Sequence, residues 1–342
     1  MKIRVGILTA PKIEFEQREK TFVLKNVRIG IGFHWDRHED QEFAGSLEIR
    51  NNADGTQTAI NAIDLEDYLC SVISSEMNAN SPMELLKAHA VISRSWAIRA
   101  MQKPNHEGYD VCADDHCQRY EGLRRMNERA VEAVRATAGQ VLMYGDEICD
   151  CRYYKCCGGR TEIWRTCWED IDVPYIQSVQ CDFCKSPSPK VLRLVLNDYD
   201  QETKDFRDWK VSYTQEEISE IVREKSGIDF GDIIDLIPLH RGASGRIDSL
   251  KIVGTKHTEI IGKELKIRLW LSKSCLYSSW FEVEKTITNN QSPITFTLIG
   301  HGWGHGAGLC QIGAAVMASE GYSFEDILAY YYVGSRLSAP AK

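Results

Sequence analysis

The hydrophobic pattern changes its period at Asp64, and this change limits the possible folds more than any other feature of the sequence. Before Asp64, short β-branched or alternating apolar runs are separated by turns, a pattern typical of strands. After it come two helical patterns, 64–77 and 81–102, with Ser81 as the predicted N-cap of the second helix. A third helical pattern ends at Gly139, which suits a helix C-terminus.

Past residue 140 the sequence returns to strand patterns, with one predicted helix near 214–227 and two short C-terminal helices. The polar stretch 185–210 is predicted to be an exposed connection. This order predicts an α+β fold with a central helical region flanked by β-rich segments, not a doubly wound parallel sheet. One unit is expected over 1–342, divided into a β-rich segment (1–62), a helical region (63–140) and a β-rich region (141–342).

The 342 residues carry a net charge of −8, with 43% hydrophobic and 26% charged residues, which is ordinary for a folded protein. Proteins that bind nucleic acid by neutralising phosphates are usually basic, so no nucleic-acid partner is expected. No window approaches the roughly 18 apolar residues of a membrane span, so no transmembrane segment is expected in this chain. The first residues also lack the apolar core of a signal peptide.

Cysteine is the unusual component, with twelve residues that fall mostly between Cys112 and Cys184. Two histidines and two cysteines lie within one short stretch: His106, Cys112, His116 and Cys117. Structural zinc sites take four such ligands, although this spacing differs from that of the common zinc fingers. A zinc site and a pair of free or disulfide-bonded cysteines beside surface histidines are both compatible with the residues.

A second group of cysteines follows: Cys156, Cys157, Cys167, Cys181 and Cys184. Adjacent cysteines do not readily bridge to each other, so Cys156 and Cys157 each need another partner. Disulfides or free thiols are favoured here, and a second metal stays open because there is no paired CxxC motif.

Glu76 lies at the end of the first predicted helix, and Lys87 and Arg94 lie seven residues apart on the second. Seven residues is two helical turns, so the two cations share one face beside an apolar stripe. The simplest interpretation is that they extend to the edge of the stripe and pair with Glu84 or another acid.

Glycine occupies every second position from Gly300 to Gly308. In an extended segment this leaves one bare face, and the other face carries Trp303 and His305, with Gln311 close behind. Such a face suits the binding of a sugar ring. The alternative is a seam where two strands or domains pack.

The sequence resembles the SpoIID/LytB family, the stage II sporulation protein D and amidase-enhancer proteins. The segments that carry the resemblance occur in order from about Val5 to Gly334: SSEMNANSPMELLKAHAVISRSWAIRA, DVCADDHCQRYEG, YKCCGGRTE and GHGWGHGAGLCQIGAAVMASEGYSFEDILAYYYVGS. The resemblance implies a lyase, a lytic transglycosylase that cleaves peptidoglycan glycan strands to 1,6-anhydro ends, with a preference in sporulation members for strands without stem peptides.

The resemblance also implies roles for particular residues. Glu76 matches the catalytic acid/base, and Lys87 and Arg94 match residues that line the same groove. The family's structural zinc loop matches His106, Cys112, His116 and Cys117. Trp303, His305 and Gln311 are expected to contact the glycan. One carboxylate suffices, because the C6 hydroxyl of the muramic ring attacks its own anomeric carbon and no water is activated.

Three departures from the family pattern stand out. Cys156 and Cys157 replace serines that the family often has, and Asn78-Ala79-Asn80 replaces the proline and serine of many members. The clustered Cys167, Cys181 and Cys184 are interpreted as particular to this subgroup of the family. The family acts outside the cytoplasm, so an extracytoplasmic location with a trimmed signal is expected. The alternative function is a non-catalytic glycan-binding enhancer of a cell-wall amidase, which makes such an amidase a candidate partner.

Overall fold

The computed structural model describes residues 1–31, 36–78, 80–114, 116–185, 187–196, 207–287 and 294–338. The helices in these ranges are α1 (Leu65–Glu76), α2 (Met83–Gln102), α3 (Glu128–Ala136), α4 (Trp164–Cys167), α5 (Pro189–Val195), α6 (Gln215–Ser226), α7 (Glu264–Trp270), α8 (Gln311–Ser319) and α9 (Phe324–Tyr331). None of them is both long and apolar enough to cross a bilayer.

The strands in the same ranges are short and spread over the whole chain. They are β1 (Lys2–Ala10), β2 (Phe15–Gln17), β3 (Thr21–Ile29), β4 (Arg37–Ala44), β5 (Ser46–Asn51), β6 (Gln57–Asp64), β7 (Val111–Cys112), β8 (Val141–Tyr144), β9 (Glu147–Ile148), β10 (Tyr153–Tyr154), β11 (Asp208–Thr214), β12 (Ile233–Arg241), β13 (Ile247–Gly254), β14 (Thr258–Ile261), β15 (Phe281–Thr286), β16 (Thr295–His301), β17 (Leu309–Cys310) and β18 (Arg336–Ser338).

The strands form several small sheets, with the orders β5-β6-β1-β7, β2-β3-β4, β18-β8-β9, β10-β17, β11-β16-β15 and β12-β13-β14. Most pairs are antiparallel, and the parallel pairs β1–β7 and β10–β17 join only two residues each. The predicted α+β class is therefore confirmed, and the described part of the chain contains no doubly wound parallel sheet.

The long helix α2 lies at the centre of the larger hydrophobic core and contacts α1, α3, α8 and α9. Because it is covered on several sides, its buried residues include polar ones such as His89, Ser93 and Arg94. Its predicted cap was wrong: the N-cap is Pro82, and the Ser81 hydroxyl instead donates to the carbonyl of Leu194.

A smaller core is built by residues between Trp209 and Leu298. It lies among the β11-β16-β15 and β12-β13-β14 sheets and the helices α6 and α7. The helix α6 was predicted with its ends: Thr214 forms a capping box, and Gly227 closes the helix with a φ of 73°.

The predicted exposed connection over 185–210 is only partly correct. Residues 197–206 lie outside the described residues, but α5 occupies Pro189–Val195, contacts α8 and buries Val195. The apolar residues of this segment therefore pack against the core, which the polar composition concealed.

Candidate functional site

Glu76 is the last residue of α1, and its side chain is half-buried. Its Oε1 accepts the backbone N–H of Arg119 at 3.0 Å and the phenol O–H of Tyr153 at 3.1 Å. One donor comes from the loop after β7 and the other from β10, so two distant segments hold the same carboxylate oxygen.

The segment 119–122 is fixed along the last turns of α1. Ser71 Oγ donates to the carbonyl of Gly122 at 2.6 Å, and the N–H of Glu121 donates to Ser75 Oγ at 3.3 Å. These bonds set the position of the Arg119 N–H, which follows Cys117 by two residues.

Tyr153 is a site residue that sequence reasoning missed. Burial, together with the negative charge of Glu76, raises the pKa of its phenol well above the usual value, so the phenol stays protonated and remains a donor. Its ring lies against His89, with 4.4 Å between centroids, and its carbonyl accepts from His305 Nε2 at 3.0 Å. A tyrosine in a strand carries no sequence signal for this role.

His89, which was also missed, joins α2 to the start of α8. The side-chain amide of Gln311 contacts His89 Nε2 at 3.1 Å, and His89 Nδ1 lies 3.2 Å from Ser93 Oγ. An amide N–H donating to Nε2 places the ring proton on Nδ1, facing the serine. Burial, followed by the positive charge of Lys155, lowers the pKa of His89 to about 3, so the ring is neutral near pH 7.

The glycine-rich segment differs from the extended face that the sequence predicted. Strand β16 ends at His301, and Gly302, Gly304, Gly306 and Gly308 all have positive φ. A Cβ on Gly306 would lie 2.5 Å from the guanidinium carbon of the buried Arg246. Alternate glycines are therefore required by the backbone conformation and by close packing.

His305 and Trp303 are both partly buried in this segment. His305 Nδ1 accepts from the N–H of Ala307 at 3.1 Å, so Nε2 donates to the carbonyl of Tyr153, and both ring nitrogens serve backbone groups. Burial, aided by the charge of Arg152, holds the pKa of His305 well below its usual value. Trp303 forms a backbone bridge with Cys156, and its ring contacts Tyr277.

The structure does not bring Arg94 to Glu76. The Arg94 guanidinium is fully buried and makes a bidentate ion pair with Glu66, with N–O distances of 2.8 and 2.7 Å. It also donates to the carbonyl of Gln140. Glu66 and Glu76 are ten residues apart on α1, which is about 15 Å along a helix axis.

Lys87 is partly exposed and pairs with Glu84 at 2.7 Å. Its ammonium also lies 5.8 Å from the ring centroid of Phe324 at the start of α9. Lys87 and Arg94 thus each pair with an acidic residue, as the simplest interpretation of the sequence predicted. The contact of these two cations with a substrate stays a prediction.

Within the described ranges, two groups of side chains have donor atoms close enough to hold a metal ion. The first is the predicted set, His106, Cys112, His116 and Cys117, whose four donor atoms lie within 4.8 Å of one another. His106 Nε2 lies 3.2 Å from Cys117 Sγ, and His116 Nδ1 lies 3.5 Å from the same sulfur. Tetrahedral zinc with the usual bond lengths separates nitrogen and sulfur ligands by about 3.5 Å, so these residues fit zinc.

The two thiols of this first group interact directly. A hydrogen bond from Cys117, with further help from His116, lowers the pKa of the Cys112 thiol, and the same contact together with burial raises the pKa of Cys117. A thiolate at neutral pH is the form in which cysteine binds metals.

The second group consists of the buried residues Cys157, Cys181, Cys184 and Cys310. All twelve cysteines of the chain are unbridged in the structure. Cys310 belongs to this group although it lies far from the others in sequence, which is why the sequence did not indicate it.

A surface depression of about 820 Å³ lies over α3 and is lined by residues between Met126 and Ala136. The lining includes none of the predicted site residues. It is therefore not assigned to the site around Glu76.

Family models match two parts of the chain. Residues 53–144 match the model described as stage II sporulation protein, SpoIID, and residues 162–308 match a domain of unknown function, DUF8618. The first match includes Glu76, Lys87, Arg94 and the four residues of the first metal group. The second includes Trp303 and His305.

Relatives are similar over most of the chain. Stage II sporulation protein D of Bacillus subtilis is 28% identical over 295 residues, 82% of this chain and 76% of that protein. An uncharacterized protein of Brachyspira hyodysenteriae is 29% identical over 294 residues, 86% of this chain and 71% of that protein. The amidase enhancer of Bacillus subtilis is 27% identical over 301 residues, 79% of this chain and 40% of that protein. The resemblance to the SpoIID family is thereby confirmed.

Proposed function

We propose, from the similarity to stage II sporulation protein D and from the setting of Glu76, that this chain acts on the bacterial cell wall as a peptidoglycan lytic transglycosylase. The observation that carries the proposal is the half-buried Glu76 carboxylate, which is held by the Arg119 N–H and the Tyr153 O–H. A carboxyl group fixed by two donors from separate segments is suited to acid–base catalysis, because its orientation is set before substrate binds.

The proposed reaction uses one carboxyl group twice. Glu76 first donates its proton to the glycosidic oxygen as the bond from that oxygen to the muramic C1 breaks. The carboxylate then takes the proton of the C6 hydroxyl while O6 bonds to C1. The products are a 1,6-anhydro ring and a free hydroxyl on the leaving sugar, and Glu76 regains its proton, so no water is consumed.

Two donors anchor the Oε1 atom of Glu76. One of them, Tyr153, acts as a positioning residue that remains a donor throughout, because its phenol stays protonated.

Lys87 and Arg94 have different proposed roles. Lys87 is partly exposed and can exchange Glu84 for the lactyl carboxylate of a muramic residue, as a charge-assisted pair. Arg94 is fully buried on Glu66 and is proposed to position α1 against α2 and α3. His305 and Gln311 are proposed to support the site through Tyr153 and His89, and Trp303 is proposed to contact the glycan.

The first metal group is proposed to hold a structural zinc ion. When bound, zinc supplies a fixed crosslink between its four ligands, with no position left for a reacting group. The segment after Cys117 carries the Arg119 N–H, so the fixed loop keeps this donor on Glu76.

The decisive experiment is digestion of purified glycan strands, with and without stem peptides, followed by mass analysis of the products. The wild type should release 1,6-anhydro ends, and Glu76→Gln should lower the rate at least a thousandfold while it still binds the strands. The matched control is Glu48→Gln, a half-exposed acid on β5 that pairs with Arg4. Cleavage by Glu76→Gln within tenfold of the wild type, about 1.4 kcal/mol of barrier, would remove Glu76 from its proposed role.

The second candidate is a glycan-binding enhancer of a cell-wall amidase, which the similarity to the amidase enhancer of Bacillus subtilis favours. An enhancer would bind the strands without releasing anhydro products and would raise the rate of an added amidase. Both functions place the protein outside the cytoplasm, which is the location proposed here.

A further inference from the structure

The thiols of Cys157, Cys181, Cys184 and Cys310 meet in the protein interior. All four residues are fully buried, and their sulfur atoms lie within 4.8 Å of one another. They come from the segment after β10, from the turn at 181–184 and from the residue that caps α8, so folding alone assembles the group.

We propose that these four cysteines bind one zinc ion in an all-thiolate tetrahedral site, independently of the proposed catalytic function. A tetrahedral ion with Zn–S bonds of about 2.3 Å separates its sulfurs by about 3.8 Å. The observed separations include 3.0 Å between Cys157 Sγ and Cys184 Sγ and stay below 4.8 Å for the group. This range fits a single ion, and tetrahedral sulfur sites favour zinc or iron.

Backbone N–H groups surround the sulfurs, as they do around cysteines that bind a metal. Cys310 Sγ accepts the N–H groups of Cys157 and Gly313, both at 3.3 Å, and Cys157 Sγ accepts the N–H of Gly159 at 3.4 Å. The hydroxyl of Tyr331 lies 3.3 Å from Cys181 Sγ. Donors aimed at sulfur stabilise a negative charge there and orient metal ligands, while a neutral thiol accepts hydrogen bonds weakly.

The first turn of α8 is shaped to admit the sulfurs. A Cβ on Gly313 would lie 2.2 Å from the Tyr331 hydroxyl, 3.0 Å from Cys181 Sγ and 3.4 Å from Cys310 Sγ. A glycine here lets the helix approach the cluster closely. The thiol of Cys156 also adjoins Cys184 and Cys310 but is not one of the four mutually close sulfurs.

The test is the metal content of the purified full-length chain, prepared with a reductant that does not bind metals. The wild type should contain two zinc ions per chain, one in each group. Cys184→Ser and Cys181→Ser should each retain one ion, and Cys117→Ser should also retain one. Cys275 lies outside both groups, so the control variant Cys275→Ser should retain two zinc ions.

The wild type and Cys117→Ser keep the proposal falsifiable if Cys181→Ser and Cys184→Ser fail to fold. Cobalt substituted into both sites should show the intense absorption of a tetrahedral thiolate site, and Cys117→Ser should retain the all-thiolate part of that spectrum. A wild type with one ion that Cys117→Ser loses would overturn the proposal. So would a disulfide between Cys157 and Cys184 in the freshly prepared protein, or iron in place of zinc.

Discussion

The two groups of metal donors differ in how the chain assembles them. His106, Cys112, His116 and Cys117 are near neighbours in sequence, and all four are partly or largely exposed. The four-cysteine group is fully buried, and one contact in it, between Cys157 and Cys310, spans 153 residues. The spacing of ligands along the sequence can identify a local group, whereas a non-local group can be identified only from the folded structure.

The two groups are also connected to Glu76 through different hydrogen-bond donors. The Arg119 N–H that holds Glu76 follows Cys117 by two residues. The other donor, Tyr153, pairs with Leu309 in the parallel β10–β17 ladder, where Tyr154 pairs with Cys310. Each donor on the carboxylate is therefore close in the chain or in the sheet to a different metal group.

The largest expected effect comes from breaking the local group with Cys117→Ser. Loss of a structural metal ligand is among the mechanisms that destabilise a protein by about 4 kcal/mol or more. The Arg119 N–H should lose its fixed position, so glycan cleavage should fall at least a hundredfold. Urea denaturation, metal content and cleavage rate measure these effects, with Cys275→Ser as the control. Unchanged stability in Cys117→Ser would show that its loop needs no metal.

An intermediate effect is expected on the other side of Glu76 from Tyr153→Phe. A hydrogen bond to a charged group contributes about 1.5–3 kcal/mol, so cleavage should fall roughly ten- to a hundredfold. Metal content should stay unchanged.

The matched control for this variant is its neighbour in β10. The hydroxyl of Tyr154 is buried and has no hydrogen-bond partner among the described residues. Tyr154→Phe removes the same atom from the next residue and should leave the cleavage rate unchanged. Equal effects of the two variants would mean that the phenol of Tyr153 contributes only to packing.

Local patterns explain which parts of the molecule could be predicted from the sequence. The helix α6 was predicted with its ends at Thr214 and Gly227, because a capping residue and a glycine stop depend only on neighbouring residues. Arg94 on α2 pairs with Glu66 on α1, which lies 28 residues earlier in the chain. The spacing of residues on α2 alone did not identify Glu66 as the partner of Arg94. The predicted zinc ligands of the first group are close in sequence, and the structure brings their donor atoms within 4.8 Å of one another.

The glycine-rich segment shows where a periodic pattern misleads. Alternation predicted a bare extended face, but Gly302 to Gly308 alternate because every second residue adopts a left-handed conformation. The reason lies in partners that are distant in sequence: a Cβ at Gly302 would lie 2.8 Å from the Cys156 carbonyl oxygen, and one at Gly308 would lie 2.1 Å from that of Arg152. Sequence alone could not supply these neighbours.

The smallest expected effect concerns His89, whose contact with Gln311 links α2 to the residue after Cys310. The folded-state pKa of His89 is about 3, and a histidine in an unfolded chain titrates near 6.5. Between about pH 3 and pH 6.5, the imidazole of His89 is protonated in the unfolded chain but neutral in the folded one. The stability that the fold has above pH 6.5 is therefore lost as the pH falls through this range. At pH 5 the loss from this group should be about 2 kcal/mol relative to pH 8. His89→Gln keeps a polar side chain without the titration, so denaturation at both pH values should show a pH dependence smaller by that amount. Parallel pH dependences for the two proteins would show that His89 is not held neutral between α2 and α8.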